Sequence, residues 1–183
     1  MIKLAIIGTS GRYHLDEKKL SNEHMEWMVD NVLCYIESVL CDIPENVILV
    51  SGGSAWADHA AVQLYLRGTF AGLELYLPTN FDLENNCYVN TRQGKLLNLL
   101  HTKCKNKIGI DVFSELACVI QDSNCKIFIK NGFFSRNSLI AKESDHLIAF
   151  TFYDKDAPIG GGTYDTWKKT KHDNKIHISL EWM

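Results

Sequence analysis

Short apolar runs closed by glycine or proline alternate along this chain with segments whose apolar residues recur every three or four positions. A strand that is apolar on both faces needs cover on both faces. A chain that returns from one such strand to the next through a helix lays the strands parallel. The expected strands are Lys3–Ile7, Val47–Val50, Leu73–Leu77, Lys126–Ile129, His146–Phe150 and Lys175–Leu180. Expected helices are Asn22–Leu40, Ala55–Arg67, Asp111–Gln121, Ser135–Ser144 and Thr163–Lys171. The first has Met25, Met28, Val29, Val32, Ile36 and Val39 on one face, with Ser21 or Asn22 to cap it and Pro44 beyond its end. The expected fold is α/β: a three-layer Rossmann-like fold with a mostly parallel central sheet flanked by helices.

The 183 residues show no repeat, low-complexity tract or linker, so one domain is expected over residues 1–183. Residues 81–125 or so form an unassigned insertion. Within Thr79–Lys107 the periodicity weakens, which reads as a long loop with a short helix near Arg92–Leu100. Loops of that length are more often functional than idle.

Composition narrows the function. The chain is 46% hydrophobic and 22% charged, with a formal net charge of −3. Proteins that live on the phosphates of duplex nucleic acid are usually basic or carry a basic stripe. The only dense cationic run here is Lys168, Lys169, Lys171 and His172, which as a type is usually a solvated face. Bulk electrostatics therefore favour a small ligand. No apolar stretch approaches the ~18 residues of a membrane span, and no signal peptide is expected, since Met1-Ile2-Lys3 runs directly into the first strand. The six cysteines contain no C-x-x-C pair and the seven histidines no H-x-x-x-H pair, so no metal site is expected. Reduced thiols and a cytoplasmic location are the simplest account.

In an open parallel sheet, ligands collect at the carboxyl ends of the strands, where strand order reverses. Three glycine-bearing segments stand at such ends: Gly8-Thr9-Ser10-Gly11-Arg12, Ser51-Gly52-Gly53-Ser54 and Gly160-Gly161-Gly162-Thr163. Glycine lets backbone N–H groups approach an anion, and a following helix aims its positive end at the same point. A single strand-ending glycine is often only a turn; three at strand-to-helix junctions point to a phosphate cradle. The first loop lacks G-x-G-x-x-G and the Gly-Lys-Ser/Thr of a P-loop. No cofactor is expected.

Val50-Ser51-Gly52-Gly53 followed by Asp58 and Ala61 resembles the "SGGA-x-G-x-D-x-x-A" element of the SLOG superfamily. Arg136-Asn137, Ala141, Asp145 and Leu147-Ile148-Ala149-Phe150 resemble its "RN-x-x-x-A-x-x-x-D-x-L-(I/V)-A-F" element. Gly161-Gly162-Thr163 with Asp165 is similar to its closing "GGT-x-D" loop, and Ile6-Ile7-Gly8-Thr9-Ser10 fits its first strand. The nearest likeness is to the YspA-like branch, related to DNA-processing protein A and the Lonely Guy phosphoribohydrolases. This resemblance implies a Rossmann-like domain that handles a nucleotide or nucleotide-derived ligand, as a sensor or as a metal-independent hydrolase of N-glycosidase type. The glutamate of the Lonely Guy P-G-G-x-G-T-x-x-E loop falls on Thr166, with Asp165 one position earlier.

The candidate ligand-binding residues are therefore Gly8, Thr9, Ser10, Arg12, Ser51, Gly52, Gly53, Asp58, Arg136, Asn137, Gly160, Gly161, Gly162 and Thr163. Arg12 can clamp a phosphate or be an ordinary surface arginine. Asp58 can contact a ribose or merely favour a helix start. Arg136 and Asn137 open a helix, where a guanidinium and an amide suit a phosphate. Asp165 and Glu115 are the carboxylates to test for catalysis. Trp56 stands where relatives often have a small residue, and its ring can stack on a base or pack. The expected partner is a nucleotide-derived small molecule, with homo-oligomerisation left open. The competing reading is a single-stranded DNA-binding protein resembling DNA-processing protein A, which calls for a basic groove with stacking aromatics.

Overall fold

A computed structural model describes residues Met1–Met183. Six strands form one all-parallel sheet: β1 (Ile2–Gly8), β2 (Val47–Ser51), β3 (Gly72–Leu77), β6 (Cys125–Ile129), β7 (His146–Thr151) and β8 (Lys175–Ser179). Their order is β6-β3-β2-β1-β7-β8. The short strands β4 (Phe81–Asp82) and β5 (Cys87–Tyr88) make a separate antiparallel hairpin. Seven α-helices complete the chain: α1 (His14–Lys19), α2 (Asn22–Tyr35), α3 (Ala57–Arg67), α4 (Arg92–Ile108), α5 (Val112–Ile120), α6 (Phe133–Glu143) and α7 (Gly161–Lys169).

Alternation along the strands divides the interior. Leu4 and Ile6 of β1, Leu73, Leu75 and Leu77 of β3, and Ile148 and Phe150 of β7 join a large core with α2, α3, α4 and α5. Their neighbours Ala5, Ile7, Tyr76, Leu147 and Ala149 face the other way, onto Ile140 and Leu139 of α6 and Trp167 of α7. Two apolar faces and two helical layers give the three-layer architecture. Ala57, Ala60 and Ala61, all fully buried, bring α3 close against the sheet.

Three local features depart from the sequence reading. The segment Arg92–Ile108 is one helix of 17 residues, capped by Thr91 Oγ1, which accepts the Gly94 N–H at 3.0 Å, and closed by Gly109 at φ +72°. Leu97, Leu100, His101, Cys104 and Ile108 are its buried stripe. A histidine and a cysteine at two of those positions weaken the apolar signal. The 81–125 region is thereby built into the main core rather than laid over it. The last turn of the predicted Asn22–Leu40 helix, Ile36–Leu40, is π-helical and ends at Cys41 in the left-handed region. Finally, α1 forms between the first loop and α2, in a stretch where the sequence predicts no element. No helix is long and apolar enough to cross a membrane.

Candidate functional site

From β1 the chain works outward through β2 and β3 to β6, then returns to β7 on the opposite side of β1. The strand order therefore reverses between β1 and β7, and their carboxyl ends part to open a crevice. A cavity of about 710 Å³ lies there. Gly8 pairs with Phe150 across the switch, and a Cβ on Gly8 would sit 2.1 Å from the Phe150 carbonyl oxygen. Only glycine lets the two strands stay this close. Thr9 N–H donates to that same carbonyl at 2.8 Å, and the Thr9 hydroxyl donates to Asp16 Oδ2 at 2.9 Å. The second bond folds α1 back over the crevice.

The third glycine loop forms the opposite wall. Gly160 (φ +67°) and Gly161 (φ +66°) occupy the left-handed region. The Thr163 hydroxyl donates to the Gly8 carbonyl at 2.8 Å, tying this loop to the first. Gly161, Gly162 and Thr163 open α7, so their N–H groups lack intrahelical acceptors and point toward the cavity end of the helix. Asn137 Nδ2 donates to the Gly162 carbonyl at 3.3 Å and to Asp165 Oδ2 at 3.2 Å, locking α7 to α6.

Arg136 and Asp58 lie at the floor. Arg136 Nη1 donates to Asp58 Oδ2 at 3.0 Å, and Ser54 N–H donates to the same oxygen at 3.1 Å. Both residues are more than nine-tenths buried. Burial raises the Asp58 pKa, against the opposing pull of Arg136 and the Ser54 amide. The guanidinium makes no other hydrogen bond in the chain: its buried Nε has no acceptor, and one face lies over the Phe133 ring. A buried guanidinium that lines a cavity and holds an unpartnered N–H has the chemistry to take an anion as a partner.

The mouth is different in kind. Tyr13 and Leu15 of the α1 segment, Phe134 of α6 and Ile159 of the loop between β7 and α7 surround it, each at least 60% exposed. Arg12, exposed and without an ion pair, stands at the same rim. The site thus combines a polar, cationic floor with an apolar, partly aromatic mouth.

Most of the residues expected from sequence converge here. Gly8 at the end of β1 and Thr9, Ser10 and Arg12 of the loop after it line the cavity, with Asp58 from α3, Arg136 and Asn137 from α6, and Gly160 through Thr163 from the cap and first turn of α7. Ser51, Gly52 and Gly53 do not. The Ser51 hydroxyl donates to the Asp58 carbonyl at 2.7 Å. A Cβ on Gly52 would fall 1.3 Å from Arg136 Nη1, and one on Gly53 would fall 2.2 Å from Leu77 Cδ2. These glycines clear space for the floor rather than line the pocket. Asp165 faces α6 and Lys169, whose Nζ lies 2.7 Å from its Oδ2. Glu115 lies outside the cavity, where its Oε2 is 2.7 Å from His59 Nε2 and accepts from Gln63 Nε2 at 3.3 Å. Burial pushes the Glu115 pKa up, but the His59 and Gln63 contacts outweigh it and hold the group low. Neither carboxylate expected to act in catalysis reaches the pocket; Asp16 and Asp58 do. Trp56 is fully buried and packs beneath Gly11, so it does not offer a face for stacking.

Sequence reasoning missed the mouth. Tyr13, Phe134 and Ile159 are large residues within two positions of a glycine, and that proximity was the one available signal; Leu15 carries none. No grouping of three or more His, Cys, Asp or Glu side chains has the geometry to hold a metal ion.

No protein-family model matches the chain. A curated protein, "Uncharacterized protein R261" of Acanthamoeba polyphaga mimivirus, is 50% identical over 179 residues, which cover 98% of this chain and 96% of that protein. The chain belongs to the R261 family. Near-complete coverage of both chains means that the family shares the whole architecture, the 81–125 region included.

Proposed function

We propose that the switch-point cavity binds the phosphate of a nucleotide or nucleotide-derived molecule, as a sensor or as a metal-independent hydrolase. One observation carries this reading: the Arg136 guanidinium is buried, gives a single hydrogen bond to Asp58, leaves its Nε unpartnered and lines the same cavity as the free N–H groups that open α7. A phosphate at that point accepts from both. The rim of Tyr13, Leu15, Phe134 and Ile159 then suits the base, and the cavity volume exceeds what a bare phosphate needs.

The test is a thermal-shift panel. Nucleoside monophosphates are expected to raise the melting temperature while the parent nucleosides do not. Equal stabilisation by nucleosides would defeat the phosphate reading. Incubating the same panel with protein and EDTA separates the two roles: free base or free phosphate assigns a hydrolase, with Asp16 and Asp58 as the carboxylates within reach, and intact ligand assigns a sensor.

A second reading, single-stranded nucleic acid, draws on one observation. Lys168 Nζ lies over the Tyr164 ring at 5.3 Å and Lys169 Nζ over Phe134 at 5.7 Å, so cations and exposed rings alternate beside the mouth. Salt-sensitive binding of a fluorescent oligonucleotide that a monophosphate fails to displace would favour it.

A further inference from the structure

We propose that β6 is a self-association edge, through which a second copy of this chain pairs antiparallel to give a continuous twelve-stranded sheet. Parallel sheets are normally covered on both faces and at their edges. Strand β6, Cys125–Ile129, is the outermost strand on its side. Its residues Ile127, Phe128 and Ile129 are each 38% exposed, which leaves three large apolar side chains part-open on a bare strand edge.

The backbone of that edge is free in a defined pattern. Asn124 C=O accepts from Leu73 N–H at 3.2 Å, and Lys130 N–H donates to Leu77 C=O at 2.9 Å, with Leu75 level with Ile127. In a parallel ladder this means that even-numbered residues bond to β3, while the amide groups of Ile127 and Ile129 point outward. Cys125 N–H is taken by Asp122 C=O at 3.1 Å, which leaves its carbonyl for the edge.

Charge discriminates among the registers in which a second copy can lie. A two-fold axis through Ile127 sets Ile127 against itself, Cys125 against Ile129, and Lys126 against Phe128 of the second copy. Asn124 then opposes Lys130. No like charges meet, and Lys126, which has no ion pair within the chain, lies across from an aromatic ring. Moving the axis by one residue either way opposes Lys126 with Lys126 or with Lys130 of the other copy. Shifting the axis by two residues avoids like charges but leaves less of Cys125–Ile129 paired, so the axis through Ile127 is the register that combines full overlap with no charge clash, as an isologous contact requires. Phe128 already stacks on Tyr76 at 4.8 Å, which holds its ring in place on that face.

The experiment is sedimentation equilibrium of the full chain over a concentration series reaching ~1 mM, the range where weak association shows. The expected result is a monomer–dimer equilibrium. Ile127→Pro removes an outward N–H without touching the bonds to β3, and is expected to give a folded monomer. Ile127→Lys, on a side chain already part-exposed, places like charges on the axis and is expected to do the same, so a misfolded proline variant does not end the test. Ile127→Cys checks the register. Directly opposed residues of a hydrogen-bonded antiparallel pair stand about 5.5 Å apart at Cα, within disulfide reach. Mild oxidation should give a covalent dimer whose crosslinked peptide joins position 127 to itself, absent from the oxidised parent protein. A wild-type chain that stays monomeric throughout overturns the proposal. So does a dimer that survives both the proline and lysine substitutions, or a crosslink that joins position 127 to a native cysteine instead.

Discussion

Arg136 Nη1 lies 3.0 Å from Asp58 Oδ2, joining α6 to the first turn of α3 across the floor of the cavity. The pair is a stability element and a charge balance at once. Breaking a buried ion pair by removing one partner costs about 3–5 kcal/mol, because the other charge is left unmatched. The two halves differ, however, in what they leave for an anion.

Asp58→Asn and Arg136→Gln should therefore both lower the melting temperature and then diverge. The first leaves an uncompensated guanidinium at the floor, so a monophosphate should raise its melting temperature more than that of the parent. The second removes the anion's main partner, and its phosphate-induced shift should vanish. Parallel thermal-shift titrations of the two variants read this directly. Equal shifts in both would mean that the phosphate does not sit on Arg136.

The glycines of the third loop should separate strain from occupancy. Gly160 and Gly161 hold φ near +66°, so valine at either adds a backbone cost of about 1–2 kcal/mol. Gly162 has no such constraint, and a Cβ there meets only Asn137 Nδ2, at an ordinary 3.5 Å. Gly162→Val should keep near-parent stability by urea titration yet lose monophosphate binding. Full affinity in a folded Gly162→Val protein would move the phosphate off the start of α7.

The six sheet strands and α2, α3, α5, α6 and α7 were legible because apolar runs and three-four spacing are local properties. The convergence of Gly8, Arg136 and Gly162 was legible through one topological rule about strand ends. The role of Gly52 was not. A glycine that admits a phosphate and one that admits a guanidinium both lack a Cβ, and only the position of Arg136, 84 residues later, tells them apart. α4 was under-read because His101 and Cys104 fill core positions of its buried stripe. Helix α1 buries no residue of its own, so it leaves no apolar periodicity to detect.

Acid should weaken the fold before the carboxylates titrate. Burial, with the nearby His59, depresses the His101 pKa to about 3, and burial lowers those of His24 and His146 as well. The folded protein keeps these rings neutral while the unfolded chain takes up protons near pH 6.5. The stability they contribute is thus fully present above pH 6.5 and declines as pH falls below it, for His101 down to about 3. The slope is about 1.4 kcal/mol per pH unit for a single fully shifted group. Urea titrations at pH 7, 6 and 5 should show this decline, and His101→Gln should flatten it. An unchanged slope in that variant would place the proton uptake elsewhere.

Trp56 offers a test of stored strain. It is a non-glycine residue at φ +60°, ψ −111°, the backbone of the first central position of a type II′ turn, where glycine is the usual occupant. The bend turns the chain from β2 into α3 and lets Ala57 N–H reach the Thr9 carbonyl at 3.3 Å, so it also fixes the first loop. The indole is fully buried, with its Nε1 2.9 Å from where a Gly11 Cβ would lie, and its packing must outweigh the backbone cost. Truncating a buried tryptophan costs about 3–5 kcal/mol. Alanine keeps the unfavourable φ, whereas glycine relieves about 1–2 kcal/mol of it and returns only about 0.5–1 kcal/mol through greater unfolded-state freedom. Both variants should be destabilised, but Trp56→Gly should be at least as stable as Trp56→Ala, the reverse of the order at ordinary positions. Urea titration of the two proteins decides it: an alanine variant more stable than the glycine one by ~1 kcal/mol would show that this backbone carries no strain.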